Sequence, residues 1–211
     1  MYSILELFET FSPLIPLVIY LIKKATKSKW IIILLIYIVA YIPLSAYANF
    51  LKSETRNNSL IYLIINIISF ICLSLIIEDF IGKKKFKQLN KLMIIVVILF
   101  SAANLIWWDA STVFNSNSFA FTGLILICYC LYYYKLQLEK LQTLYVERLP
   151  SFWIVSGIFL YCSGNFFLFA FYHTLVTNYV PLANYAWYFN NIIILFMNIL
   201  FAKGIQCNWQ K

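Results

Sequence analysis

Asn184, Asn191 and Asn198 recur every seven residues within an apolar stretch. On a helix that spacing stacks three amides on one stripe, about 10 Å apart along the axis. Trp187 joins the stripe and Asn190 flanks it. Hydrocarbon excludes unpaired amides, so this face must look into a bundle. Either it hydrogen-bonds to neighbouring helices or it lines a cavity with Asn191 as the central contact. Gly157, Tyr161, Gly164 and Asn165 form a matching face at four-and-three spacing. Its glycines read as notches for close helix approach, and Tyr161 and Asn165 supply hydrogen-bonding tips.

Carboxylates give the second candidate chemistry. Glu6 and Glu9 are three apart and therefore share a helical face, in a first span that reaches membrane length only with both included. An ionisable group at such depth is costly and marks a functional candidate, although both fall near an interface where water is within reach. Pro13 and Pro16 are placed to kink this helix. Glu6, Glu9, Asp109 and the single histidine, His173, map to the same ends of their helices, with Trp107, Trp108, Trp187 and Tyr188 at similar depth. Such a set forms either an outward pocket for a small polar or aromatic ligand or an interfacial aromatic belt with solvated charges. Glu78 and Asp79 precede Lys83–Lys85 and are expected to cap or neutralise that basic loop.

Other chemistries are set aside. One histidine cannot furnish bis-histidine haem ligation or a multi-histidine metal site, so no metal or cofactor is expected. Lys203 lies too near a helix end for a retinal-type Schiff base. No nucleophile elbow, Walker loop, kinase motif or Cys-x-x-Cys pair is present, and no catalytic residue is assigned. Cys72, Cys128, Cys130, Cys162 and Cys207 lack disulfide or zinc spacing and read as small packing residues.

The elements that position these residues follow from composition. Of 211 residues, 63% are hydrophobic and 11% charged. With a mean hydropathy of +0.82, the chain has too little polar surface for a water-soluble globule. Crossing the bilayer takes about 20 residues of helix. Seven windows meet or approach that length, near 3–22, 30–50, 59–80, 91–109, 118–137, 151–173 and 183–203. The expected fold is one all-α domain over residues 1–211, a seven-transmembrane helix bundle.

Orientation follows from the cations. Fourteen of the sixteen lysines and arginines fall on one side, including Lys23–Lys29, Lys83–Lys91, Lys135–Arg148, Lys203 and Lys211, against Lys52 and Arg56 on the other. The positive-inside rule makes the lysine-rich loops cytoplasmic, the N-terminus external and the C-terminus cytoplasmic. The net charge of +8 is thereby topological: these lysines face anionic headgroups, and nucleic acid is not the expected partner. Met1–Phe11 carries two glutamates and no lysine or arginine, the opposite of a signal peptide's n-region, so the first helix is expected to be retained.

Phe152-Trp153, Gly157, Tyr161-Cys162-Ser163-Gly164-Asn165-Phe166, a polar turn and a final asparagine-bearing helix ending at Lys203-Gly204 together resemble small uncharacterised seven-helix inner-membrane proteins of Bacteroidetes-type bacteria. The similarity is clearest over Leu149–Gly204. It implies an inner-membrane location and proximity to signalling genes such as histidine kinases. It brings no catalytic residues with it.

Two functions from different classes remain, with a third behind them. The first is a non-enzymatic receptor or signalling subunit that binds a small ligand from the outer face through Glu6, Glu9, Tyr161, Asn165, His173, Asn184, Trp187, Asn191 and Asn198. Its loops are too small for a soluble effector, so output requires a membrane partner or a second copy. The second is a transporter or intramembrane enzyme for a lipid-like or small polar substrate, with Glu6 or Glu9 carrying protons. A carboxylate approaching the asparagine stripe would favour it. A structural subunit of a membrane complex is the third.

Overall fold

The structure is a computed structural model that describes residues 9–23, 28–54, 56–107, 114–140, 146–178 and 180–209. At residues 107, 140, 173, 177, 178, 180–184, 208 and 209 it describes the backbone only. Among the described residues eight α-helices have both bounds defined: α1 Leu14–Lys23, α2 Lys29–Ser53, α3 Ser59–Ile81, α4 Lys84–Trp107, α5 Ser116–Lys140, α6 Pro150–Ala170, α7 Tyr172–Asn178 and α8 Val180–Trp209. A 3₁₀ turn at Val146–Arg148 precedes α6. No strand occurs among the described residues.

Six of these helices, α2 to α6 and α8, are long and apolar enough to cross a membrane, which makes the chain a multi-pass membrane protein. The expected first span behaves differently. Glu9, Thr10 and Phe11 are helical, Ser12 and Pro13 form a turn, and α1 resumes for only ten residues. Proline lacks the N–H needed to continue the ladder, which accounts for the break at Pro13. The other expected boundaries shift as well. Lys84–Asn90, read as loop, forms the first two turns of α4. The sixth span ends at Ala170, with Phe171 turning into the short α7, and the last helix reaches Trp209.

Each helix end has a local cause. Gly82 closes α3 in the left-handed region at φ 66°, its N–H donating to the Glu78 carbonyl at 2.9 Å, a conformation that a Cβ disfavours. Pro150 opens α6 at the position where the missing N–H costs nothing. Consecutive long helices run antiparallel, so α6 packs between α5 and α8, α2 lies against α3, and α1 rests on α8. Gly157 and Gly164 create the α6–α8 contact: a Cβ on Gly157 would stand 3.1 Å from a Phe201 ring carbon and 3.2 Å from the Met197 carbonyl oxygen, and one on Gly164 would overlap the Ile193 side chain. Gly204 returns the favour from α8, its missing Cβ leaving room for Ile154.

The outside of the bundle is apolar, unlike the surface of a soluble protein, although the core is apolar too. Leu99, Ile106, Val39, Leu131 and Phe167 are exposed on the bundle's outside. Nine asparagines, among them Asn66, Asn104, Asn165 and Asn190, are buried within it. Apolar side chains facing outward and amides facing inward is the arrangement a hydrocarbon solvent demands. The five cysteines are unbridged and all but Cys128 are buried.

Candidate functional site: a carboxylate-bearing cavity

Ahead of the break at Ser12 and Pro13, Glu9 and Thr10 are buried in the bundle. Thr10 lies between α2 side chains, its Oγ1 accepting from Asn49 Nδ2 at 2.9 Å and standing 3.3 Å from Ser45 Oγ. Ser12 is fixed from the opposite side, where Asn198 Nδ2 donates to its Oγ at 3.0 Å. These hydrogen bonds hold Glu9 in the interior, where it is 2% exposed. Glu9 is therefore enclosed among the helices rather than solvated at their surface.

Glu9 lines a cavity of ≈ 40 Å³ together with Tyr37 and Tyr41 of α2, Asn66 and Ser69 of α3, Thr122 of α5, Tyr161 and Asn165 of α6, and Trp187 and Asn190 of α8. At roughly 10–15 Å³ for each water-sized occupant, this space takes about three. Thr122 Oγ1 stands 2.9 Å from Asn66 Oδ1, tying α5 to α3 across the cavity wall. Several amide atoms remain without hydrogen-bond partners although buried: both Asn165 Oδ1 and Nδ2, Asn66 Nδ2 and Asn190 Oδ1. Buried amides in that state cost about 1–3 kcal/mol each unless something in the cavity pairs with them. Donors and acceptors thus converge with one carboxylate in a space of molecular size.

An aromatic cluster roofs this cavity at the lysine-poor end. Phe114, just before α5, packs against Phe119 at 5.0 Å, Tyr172 at 4.9 Å and Trp187 at 5.3 Å between ring centroids. Tyr62 meets Trp187 edge-on at 5.6 Å. Tyr62, Phe119, Phe169 and Trp187 belong to both the roof and the lining.

Of the residues expected to form a site, the structure brings Glu9, Tyr161, Asn165 and Trp187 together. On α8 it is Asn190 that lines the cavity. Asn191 is fully buried beside it and accepts from Asn190 Nδ2 at 3.4 Å, while Asn198 faces Ser12 and the Ile194 carbonyl. Glu6 and Asp109 lie outside the described residues, as do the side chains of His173 and Asn184. Tyr37, Tyr41, Asn66, Ser69 and Thr122 enter the site without having been singled out. Glu78 and Asp79 do not pair with Lys83–Lys85 as expected: Asp79 meets Lys29 at 3.6 Å, and Glu78 accepts from Asn90 Nδ2 at 2.8 Å. The reason is the early start of α4, which turns Asn90 towards α3 and leaves the lysines exposed.

The fold and the cavity define a polytopic helical membrane protein with polar side chains buried in an otherwise apolar interior. No family model matches the chain, and no curated protein or solved structure shows significant similarity to it.

Proposed function

We propose that this chain is a non-enzymatic receptor or sensor subunit of a bacterial inner membrane, and that its ligand site is the Glu9 cavity. The ligand is a small cation or hydrogen-bond donor. In this reading the bundle counts seven spans, the first made by the kinked N-terminal segment, with the N-terminus outside and the lysine-rich ends in the cytoplasm. The carrying observation is the convergence of Glu9 with unpartnered amide atoms of Asn165, Asn66 and Asn190 around one cavity. An anionic carboxylate selects cations and donors, and the amides fix their orientation. Signal output fits the same geometry. The residues that follow Glu9 are bonded to α2 through Thr10 and to α8 through Ser12, so a ligand that pulls on Glu9 biases both helices together.

Transport is the second reading. It is favoured by one observation, the meeting of a buried carboxylate with asparagines of α6 and α8 in a shared cavity.

One experiment separates the two. The full chain is reconstituted in nanodiscs and in proteoliposomes and presented with ammonium, methylammonium, choline and putrescine. A receptor gains thermal stability with one of these, loses the gain in Glu9→Gln, and passes no flux. Glu9-dependent flux would replace the receptor with a transporter. If neither stabilisation nor flux occurs, both readings fail and a structural subunit remains.

A further inference from the structure

The strongest feature outside the Glu9 cavity lies at the opposite, lysine-rich end. A groove of ≈ 650 Å³ opens between the start of α4 and the stretch of α5 from Cys128 to Tyr132. Its mouth carries Lys83, Lys84 and Lys85, all exposed. Asp79, the nearest acidic residue in sequence, is engaged with Lys29, and Glu78 with Asn90. The floor is aromatic and fixed. Phe86 packs edge-on to Tyr129 at 4.8 Å and stacks on Tyr132 at 5.7 Å between centroids. Lys83 Nζ stands 5.7 Å above the Tyr132 ring, which holds one ammonium over the mouth.

A further observation points to an occupant. The groove's apolar wall continues through Leu89 onto Leu92, Ile95 and Leu99, all exposed on the outside of α4. A water-soluble ligand has no use for a wall that runs on into the lipid-facing surface. A lipid does: its acyl chain follows that wall while an anionic headgroup meets the lysines.

We propose that this groove is a binding site for one anionic phospholipid. Its phosphate is held by Lys83–Lys85, and one acyl chain lies along Phe86 and Leu89. The site is independent of the Glu9 cavity and does not depend on which ligand that cavity takes.

The test is native mass spectrometry of the full chain in detergent, titrated with phosphatidylglycerol and with phosphatidylcholine of the same chains. A single phosphatidylglycerol is expected to be retained in preference to phosphatidylcholine. At about fivefold per lysine, the triple variant Lys83→Gln, Lys84→Gln, Lys85→Gln loses that preference by on the order of a hundredfold. The three side chains are exposed, so the variant keeps its fold. Leu89→Trp, which fills the groove while keeping the charge, is expected to weaken phosphatidylglycerol binding as well. Equal retention of the two lipids, an unchanged preference in the triple variant, or glycerol 3-phosphate binding as tightly as the intact lipid would each overturn the proposal.

Discussion

Asn198 donates a 3.0 Å hydrogen bond to Ser12 across 186 residues of sequence, joining the last long helix to the turn that breaks the first. Ser12 is 4% exposed and Asn198 fully buried, so the bond is made away from water. With Thr10 tied to Asn49, it decides where Glu9 sits.

Removing that bond is expected to release the turn. Asn198→Leu should lower stability by about 1 kcal/mol, within the range of intramembrane hydrogen bonds. Ser12→Ala should act through the same bond, so a double-mutant cycle followed by thermal unfolding in detergent is expected to show coupling rather than additivity. Additive losses would mean that the two residues are held independently.

Asn165 carries the opposite sign. Both its amide atoms are buried without partners, so Asn165→Leu is expected to stabilise the bundle by about 1 kcal/mol by removing an unsatisfied group. The same variant should abolish ligand-dependent stabilisation. This pairing of gained stability and lost response marks a functional residue rather than a packing one. Unfolding midpoints with and without methylammonium measure both effects.

The glycines divide cleanly. Gly164→Leu and Gly157→Leu should each cost about 1–3 kcal/mol by forcing α6 away from α8, where Ile193 and Phe201 fill the available space. Gly123→Ala has nothing within 4 Å of the added methyl and is expected to be neutral or slightly stabilising. Gly82→Ala, at φ 66°, should cost about 1 kcal/mol through backbone strain alone. Comparing the four by unfolding midpoint separates crowding from conformation.

The lysine distribution makes a topological prediction. Reporter fusions after Lys29, Lys85 and Arg148 should read as cytoplasmic, and a fusion after Ser53 as external. Replacing the lysines of one basic loop by glutamate should trap a fraction of molecules in the wrong orientation. A reporter pattern unmoved by those replacements would break the orientation argument.

Much of this arrangement was legible in the residues. The long apolar runs gave six of the seven expected spans, because in lipid a helix's length and hydropathy are set by the bilayer and not by its neighbours. Gly157 and Gly164 revealed the face that α6 presents to α8, since their spacing has meaning without knowing the partner. The Glu9 environment was not legible in the same way. Thr10 and Ser12 are ordinary polar residues beside a proline, and only the folded bundle shows that Asn49 and Asn198 reach them. Asn66 and Thr122 lie 56 residues apart in separate apolar spans. Each had a signal, a lone polar group in hydrocarbon, but no periodicity linked them. Asn190 and Asn191 are adjacent, and a seven-residue repeat favours Asn191. The rotation of α8 about its axis decides otherwise, and that rotation is set by Gly157 and Gly164 on the neighbouring helix.

The cavity's size has a mechanical consequence. At ≈ 40 Å³, it admits an ammonium-sized guest without rearrangement, whereas anything of metabolite dimensions must first wedge the surrounding helices apart. One boundary of the cavity is the proline-broken turn at Ser12 and Pro13, which Asn198 of α8 holds through the Ser12 hydroxyl. On the proposed reading, a guest larger than the cavity is expected to displace that turn, so that the response would register an occupant's size as well as its charge.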